Sequence, residues 1–224
     1  EMKVVRLSLP PRLVIDAAIS KAKGPADVKP QSEVVLSQKV FVFDPGHGGY
    51  DFGIVSSELK EKDIVLAIAK EIETVLLKWG KTVFLTRKSD QSMQLRDRAI
   101  FANQKMPEIF ISIHIAASEN FVLYVPMLAG TGSEQSVPEM YALSSRQKKY
   151  AQKSRKLAEA VGRAVKEEFN LEVIQREMPL PVLDSVGAPA VLIEAPSFKI
   201  IGYDQKTRAR LAEAIVKGLS YYGQ

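Results

Sequence analysis

The sequence contains no cysteine, which excludes thiolate metal sites, cysteine nucleophiles and disulfide bonds. Any metal centre must therefore be built from His, Asp and Glu, and histidine itself is scarce, with two in the chain. A chain without cysteine also suits an oxidising compartment, although cytosolic chains can lack it too. No run approaches the roughly 18 apolar residues of a membrane span, and no secretory leader opens the sequence. Because Glu1-Met2-Lys3-Val4-Val5 begins inside a strand-like pattern, the missing leader says little about location. Charge is not extreme either. A formal net charge of +5 gives mild attraction to polyanions and leaves an anionic polymer, nucleic acid or a lipid surface open as partners. What is present is ordinary for a folded chain: 224 residues, 46% hydrophobic and 25% charged, enough for one sizeable core with a fragment attached.

Residues 1–38 read differently from the rest. The stretches 4–9 and 12–16 are short strands around Pro10-Pro11. Residues 21–37, with Gly24, Pro25, Pro30 and few large apolar side chains, form a linker. From residue 39 strands alternate with helices. Residues 39–43, 82–86, 109–113, 121–125 and 189–193 are apolar runs suited to strands covered on both faces. Ile64, Ile68, Ile72 and Leu76, with Val65 and Ala69 alongside, predict an amphipathic helix over 61–79 that stops at Gly80. Ser89-Asp90 reads as the start of a second helix reaching about Lys105, with Leu95, Ala99 and Ala102 inward. Further helices are expected over 147–169 and 207–221, and 126–146, rich in Pro, Gly, Ser and Glu, is a long loop. This alternation predicts an α/β fold with a mostly parallel central sheet flanked by helices, and no internal repeat is visible.

Both histidines follow strands. His47 lies in Asp44-Pro45-Gly46-His47-Gly48-Gly49 after the strand 39–43, and His114 directly follows 109–113. Ligands of open α/β sheets bind beyond the carboxyl ends of the strands, so both imidazoles belong to the edge where a site is expected. A lone histidine is more often a hydrogen-bonded loop or core residue, but two at equivalent places favour a metal pair. Further donors must be carboxylates. Glu61, in the first turn of the 61–79 helix, is the best placed, with Glu58 and Asp63 as competitors; an acid there also suits the helix dipole without any metal. Two histidines and a glutamate make the ligand set of a hydrolytic zinc site whose fourth position holds water. Glu194 closes the strand 189–193 at the same edge and is the candidate acid/base, a structural salt bridge being its plainer role. The glycines around His47 could cradle a phosphate, but no Lys-Ser/Thr pair or Gly-x-Gly-x-x-Gly spacing accompanies them. They more simply allow a sharp turn that brings His47 to a metal.

These residues carry a resemblance to the zinc-dependent N-acetylmuramoyl-L-alanine amidases, bacterial peptidoglycan hydrolases, over about residues 39–222. It rests on Val42-Phe43-Asp44-Pro45-Gly46-His47-Gly48-Gly49 with Asp51 and Gly53, on 61–69, on Leu85-Thr86-Arg87, on 95–98 with Ala102 and Asn103, on Ile111-Ser112-Ile113-His114, and on 189–194. The resemblance implies a sheet of about six strands, one Zn2+ per chain held by His47, Glu61 and His114, and Glu194 as general acid/base. The implied reaction is hydrolysis of the amide between N-acetylmuramic acid and L-alanine, in the periplasm or extracellular wall. Peptidoglycan is then the partner, with room for an activator protein, and neither nucleic acid nor a spanned membrane is expected. Residues 39–224 become the catalytic domain, and 1–38 the remnant of an upstream wall-targeting β-domain. Two rival functions remain, a zinc-retaining wall-binding module without catalysis and a zinc hydrolase acting on another amide. Ile115-Ala116 and Ala195-Pro196-Ser197 depart from the usual family residues and are expected to line the site. The stretch 119–146 is longer than in simple members and reads as a mobile lid or substrate loop, or as a self-inhibiting segment in which Glu134 or Glu139 reaches the metal.

Overall fold

The computed structural model describes residues 2–8, 11–17, 36–127 and 145–223. The chain divides into two compact units, Glu1–Glu33 and Val34–Gln224. In the first, β1 (Met2–Ser8) and β2 (Pro11–Ala17) pair as an antiparallel hairpin. The second holds all the candidate site residues. Its start overlaps the stretch read as a linker, because Leu36 is buried in the core.

The second unit opens with β3 (Val40–Pro45), followed by a small hairpin of β4 (Val55–Ser56) and β5 (Leu59–Lys60). Then come α1 (Glu61–Lys78), β6 (Thr82–Leu85), α2 (Leu95–Gln104), β7 (Ile109–Ile115) and β8 (Phe121–Pro126). After residues 128–144, where the expected long loop and both of its acids lie outside the described residues, follow α3 (Ser145–Lys148) and α4 (Ala151–Phe169). The chain then forms β9 (Val173–Met178), α5 (Pro181–Asp184), β10 (Ala190–Ala195) and α6 (Gln205–Tyr222). The six-stranded sheet has the order β6-β3-β7-β10-β8-β9. All neighbours are parallel except β10 and β8, which gives the mostly parallel sheet flanked by helices that the sequence predicts.

Alternation along the strands divides the interior into two layers. Phe41, Phe43, Ile111, Ile113, Leu123 and Ile193 face α1, α4 and α6, whose apolar stripes cover that side fully. Val42, Phe110, Val122, Tyr124 and Leu192 face the other side, which α2 and the single turn of α5 cover only in part. The thin cover leaves a cleft of about 480 Å³ on that face. The second helix starts later than the sequence suggests. Its first residue is Leu95, which is 56% exposed, and its inward positions are Ala99, Ala102 and the aliphatic stem of Arg98. Asp90 is not its cap: one carboxylate oxygen accepts from Gly49 N at 2.7 Å and the other from Lys62 Nζ at 2.6 Å.

Candidate functional site

After β3 the chain runs through α1 to β6 on one side, then through α2 to β7 on the other. The strand order therefore reverses between β3 and β7, the place where open α/β sheets form their crevice. His47 leaves the end of β3 and His114 sits near the end of β7, so the two imidazoles flank that point. Glu61 enters from the first turn of α1. The β4–β5 hairpin presents Ile54 O to Glu61 N at 2.9 Å, while Ile54 N donates to Glu61 Oε2 at 2.9 Å. A strand end, a second strand end and a helix start thus deliver three side chains to one spot.

Their donor atoms converge. His47 Nε2 lies 3.0 Å from Glu61 Oε1, His114 Nδ1 lies 3.0 Å from the same oxygen, and the two ring nitrogens are 3.1 Å apart. Among the described residues these three form the group that could hold a metal ion. Glu58 and Asp63, the competing acids, are exposed and outside it. Asp51 Oδ2 accepts a hydrogen bond from His47 Nδ1 at 2.8 Å. That places a proton on Nδ1 and turns Nε2 toward Glu61 Oε1. A neutral Nε2 and the carboxylate oxygen, both acceptors, repel at this separation unless a proton or a metal ion lies between them. Tetrahedral zinc with bonds of about 2.0–2.2 Å keeps its ligands about 3.3–3.6 Å apart, so the set needs only small movements to fit such an ion.

A proton on Nε2 is one way to supply that positive charge. Burial works against charge on His47, yet Glu61 and Asp51 together hold its pKa above the ordinary value. Burial likewise favours a neutral Glu61, but both imidazoles and the N–H groups of Ile54 and Ile115 outweigh it, and the carboxyl lies well below its usual range. The pocket is built for positive charge beside a permanent carboxylate.

Backbone geometry explains the glycine-rich run more specifically than turn-making. A Cβ on Gly46 would lie 2.1 Å from the His114 ring, so the ring packs directly on that backbone. Gly53, at φ +63°, would place a Cβ 2.5 Å from Glu61 Oε2 and 2.7 Å from the His47 ring. His47 itself has φ +58°, a conformation that is uncommon for a side chain of this size and is held by its surroundings.

Two buried arginines supply that restraint. Arg87 donates to Pro45 O, Gly46 O and Lys62 O at 3.0, 2.7 and 2.7 Å. Arg98 donates to His47 O at 2.6 Å, to Pro45 O at 2.9 Å and to Asp44 Oδ1 at 2.8 Å. Asp44, 1% exposed, also accepts from Thr86 Oγ1 at 2.6 Å and Ser112 Oγ at 2.9 Å. Arg98→Ala would remove the direct ion-pair partner of this buried carboxylate and leave two hydroxyls as its side-chain hydrogen-bond donors, with an expected loss of about 3–5 kcal/mol of stability. Urea melts of the variant and parent should show the difference; a shift under about 1 kcal/mol would contradict the role.

Glu194 is not part of the converging trio. It stands one strand away, in register with His114 across β7 and β10 and on the same sheet face, and Tyr124 OH donates to its Oε2 at 3.1 Å. The cleft beside the trio is lined by Asp44, His47, Arg98 and His114 on one side and by Leu180, Pro181, Val182 and Leu192 on the other. Ile115 and Ala195, expected to line the site, instead pack in the opposite core layer as register partners, and Pro196 is buried as well. The Ile115 and Ala195 side chains do not face the cleft. From residue types alone Asp51, Tyr124, Arg87 and Arg98 receive no role. Single acids and aromatics are common, and an arginine in a turn or on a helix is ordinarily a surface group.

The family model described as N-acetylmuramoyl-L-alanine amidase matches residues 41–221. The chain is 33% identical over 157 residues to an endolysin of Bacillus phage SPP1, a match covering 70% of this chain and 54% of that protein. It is 29% identical over 202 residues to the germination-specific N-acetylmuramoyl-L-alanine amidase of Bacillus subtilis, covering 84% of this chain and 81% of that one. The chain therefore spans about half of the endolysin and four-fifths of the germination protein. Its fold is similar to that of the CwlD amidase from Clostridioides difficile, solved in complex with the GerS lipoprotein. The TM-score is 0.65 at 24% identity, over 82% of this chain and 98% of that one.

Proposed function

The chain belongs to the N-acetylmuramoyl-L-alanine amidase family, and on that premise we propose that it hydrolyses the amide joining N-acetylmuramic acid to L-alanine in peptidoglycan, with one zinc ion per chain. The observation that carries this reading is the convergence of His47 Nε2, Glu61 Oε1 and His114 Nδ1 beside the cleft. In it these three side chains hold the ion, which when bound supplies Lewis acidity toward a carbonyl oxygen and toward water.

The chain's own groups do the rest. Asp51 locks the His47 ring in the tautomer that turns Nε2 inward. The Ile115 N–H donates to Glu61 Oε1 at 2.9 Å and the Ile54 N–H to Oε2 at 2.9 Å, so the carboxylate cannot rotate away. Glu194, beside His114, takes a proton from the attacking water and returns it to the leaving nitrogen. Tyr124 occupies Oε2 of Glu194, which leaves Oε1 to move that proton. The apolar wall formed by Leu180, Pro181, Val182 and Leu192 limits bulk water near the reacting amide.

A substrate in the wall places the working protein in the periplasm or outside the cell. Among the described residues no helix is long and apolar enough to cross a membrane. The neighbour from Clostridioides difficile is solved with a lipoprotein, and an accessory protein acting on this chain belongs to the same proposal.

Digestion of purified sacculi with and without a chelator tests the reading. New L-alanine amino termini should appear, vanish with chelator and return with added zinc. Release of any other end group, or activity indifferent to chelation, would overturn it. Asp51→Asn removes the charge that fixes the His47 tautomer, and zinc affinity is expected to fall about 10–100-fold in competition with a fluorescent chelator.

A further inference from the structure

Three consecutive residues of the turn after β3 have positive φ: His47 at +58°, Gly48 at +123° and Gly49 at +63°. Such a run is not a local preference of the chain, so bonds from outside must hold it. Arg87 and Arg98 grip its first half, at Gly46 O and His47 O. A different pair grips the second half at Gly49. Asp90 Oδ1 accepts from Gly49 N at 2.7 Å and Lys62 Nζ donates to Gly49 O at 2.8 Å, while Lys62 Nζ and Asp90 Oδ2 close the circuit at 2.6 Å. Lys62 is 4% exposed, and its ammonium also lies 4.5 Å from the centre of the Phe52 ring. A lysine is seldom buried so deeply, and this one directs its charge at a backbone carbonyl two residues from His47. The turn itself closes through Gly48 N to Asp51 O at 2.9 Å. Gly49 therefore sits at its tip, between His47 and the Asp51 carboxylate that bonds the His47 ring.

We propose that Lys62 and Asp90 are positioning residues of the metal site: by fixing Gly49 they hold Asp51 on His47 Nδ1 and so keep Nε2 turned toward Glu61 and His114. The inference rests on the metal reading of these three side chains and not on which amide is cut. Glu61 and Lys62 are neighbours in α1, so the start of one helix supplies one candidate ligand and fastens the turn that carries another. The sign of the effect separates positioning from charge. A lysine near the site repels a divalent cation, so by electrostatics alone Lys62→Met leaves zinc binding unchanged or makes it tighter. Positioning gives the opposite sign.

Zinc affinity of the whole chain, measured by competition with a fluorescent chelator, reads this without turnover. Lys62→Met should bind zinc about tenfold more weakly than the parent. Added to Asp51→Asn it should cost less than about twofold more than Asp51→Asn alone, because both changes release the same ring. Equal or tighter binding by Lys62→Met, or losses that multiply in the double variant, would overturn the proposal. Asp90 is half-exposed, so its variant keeps the test decisive if Lys62→Met does not fold. Asp90→Ala should show the same tenfold loss, of about the same size alone and with no further loss beside Asp51→Asn. A lower melting temperature of the metal-free variants with zinc affinity unchanged would make the pair a structural ion pair only, and so refute its positioning role. A parent that binds no zinc overturns the metal reading itself, a result distinct from all of these.

Discussion

With Glu194 replaced by Gln, kcat is expected to fall about 10²–10⁴-fold while the protein still takes up one zinc ion. The two readouts separate because Glu194 is one strand away from the trio of donor atoms and contributes nothing to it. Glutamine keeps the size of the side chain and can still accept from the Tyr124 hydroxyl, so the cleft is preserved. What it loses is a group able to gain and return a proton at Oε1. Zinc content by elemental analysis and rates on a muropeptide check both halves. A variant with near-parental kcat would remove Glu194 from the chemistry, and one that loses its metal would make it a positioning residue for the site.

His114→Ala should abolish hydrolysis and bring zinc content well below one per chain. Its ring supplies one of the three converging atoms and packs on the Gly46 backbone, so removal takes away a ligand and opens a gap above the turn. The loss can be read without turnover. A ligand that binds only the folded chain stabilises it by about 2.7 kcal/mol at a hundredfold excess over Kd. Zinc should therefore raise the melting temperature of the parent and leave that of His114→Ala unmoved. A variant that melts higher with zinc, as the parent does, would show that the ion sits elsewhere.

The helix over 61–78 and the strands 40–45, 109–115 and 190–195 were legible because each carries a pattern of its own, an apolar stripe or an unbroken apolar run. The edge strand β9 was not. Val-Ile-Gln-Arg-Glu-Met has little apolar content beyond its first residues, and its strand character comes from pairing with β8. The start of α2 was misplaced for a related reason. Asp90 looks like a cap in one dimension, but its oxygens are engaged by Gly49 in the turn after β3 and by Lys62 at the start of α1, both far away in sequence.

The site divides in the same way. Two histidines at strand ends and a glutamate opening a helix are local features, and the family motif binds them together, so the sequence by itself determined the candidate ligands and the α/β fold. Tertiary structure decided what sequence spacing cannot encode. It set Glu61, which the family motif already favours over Glu58 and Asp63, in buried contact with both rings. It assigned Asp51 to the His47 tautomer, Arg87 and Arg98 to the turn, and Tyr124 to Glu194. It also turned Ile115 and Ala195 away from the cleft, because the residue after His114 or Glu194 on a pleated strand must face the opposite layer. The physical reason is that hydrogen bonds and burial are set by which strands become neighbours: apart from the local Asp51–His47 pair, the partners named here lie 41 to 70 residues apart.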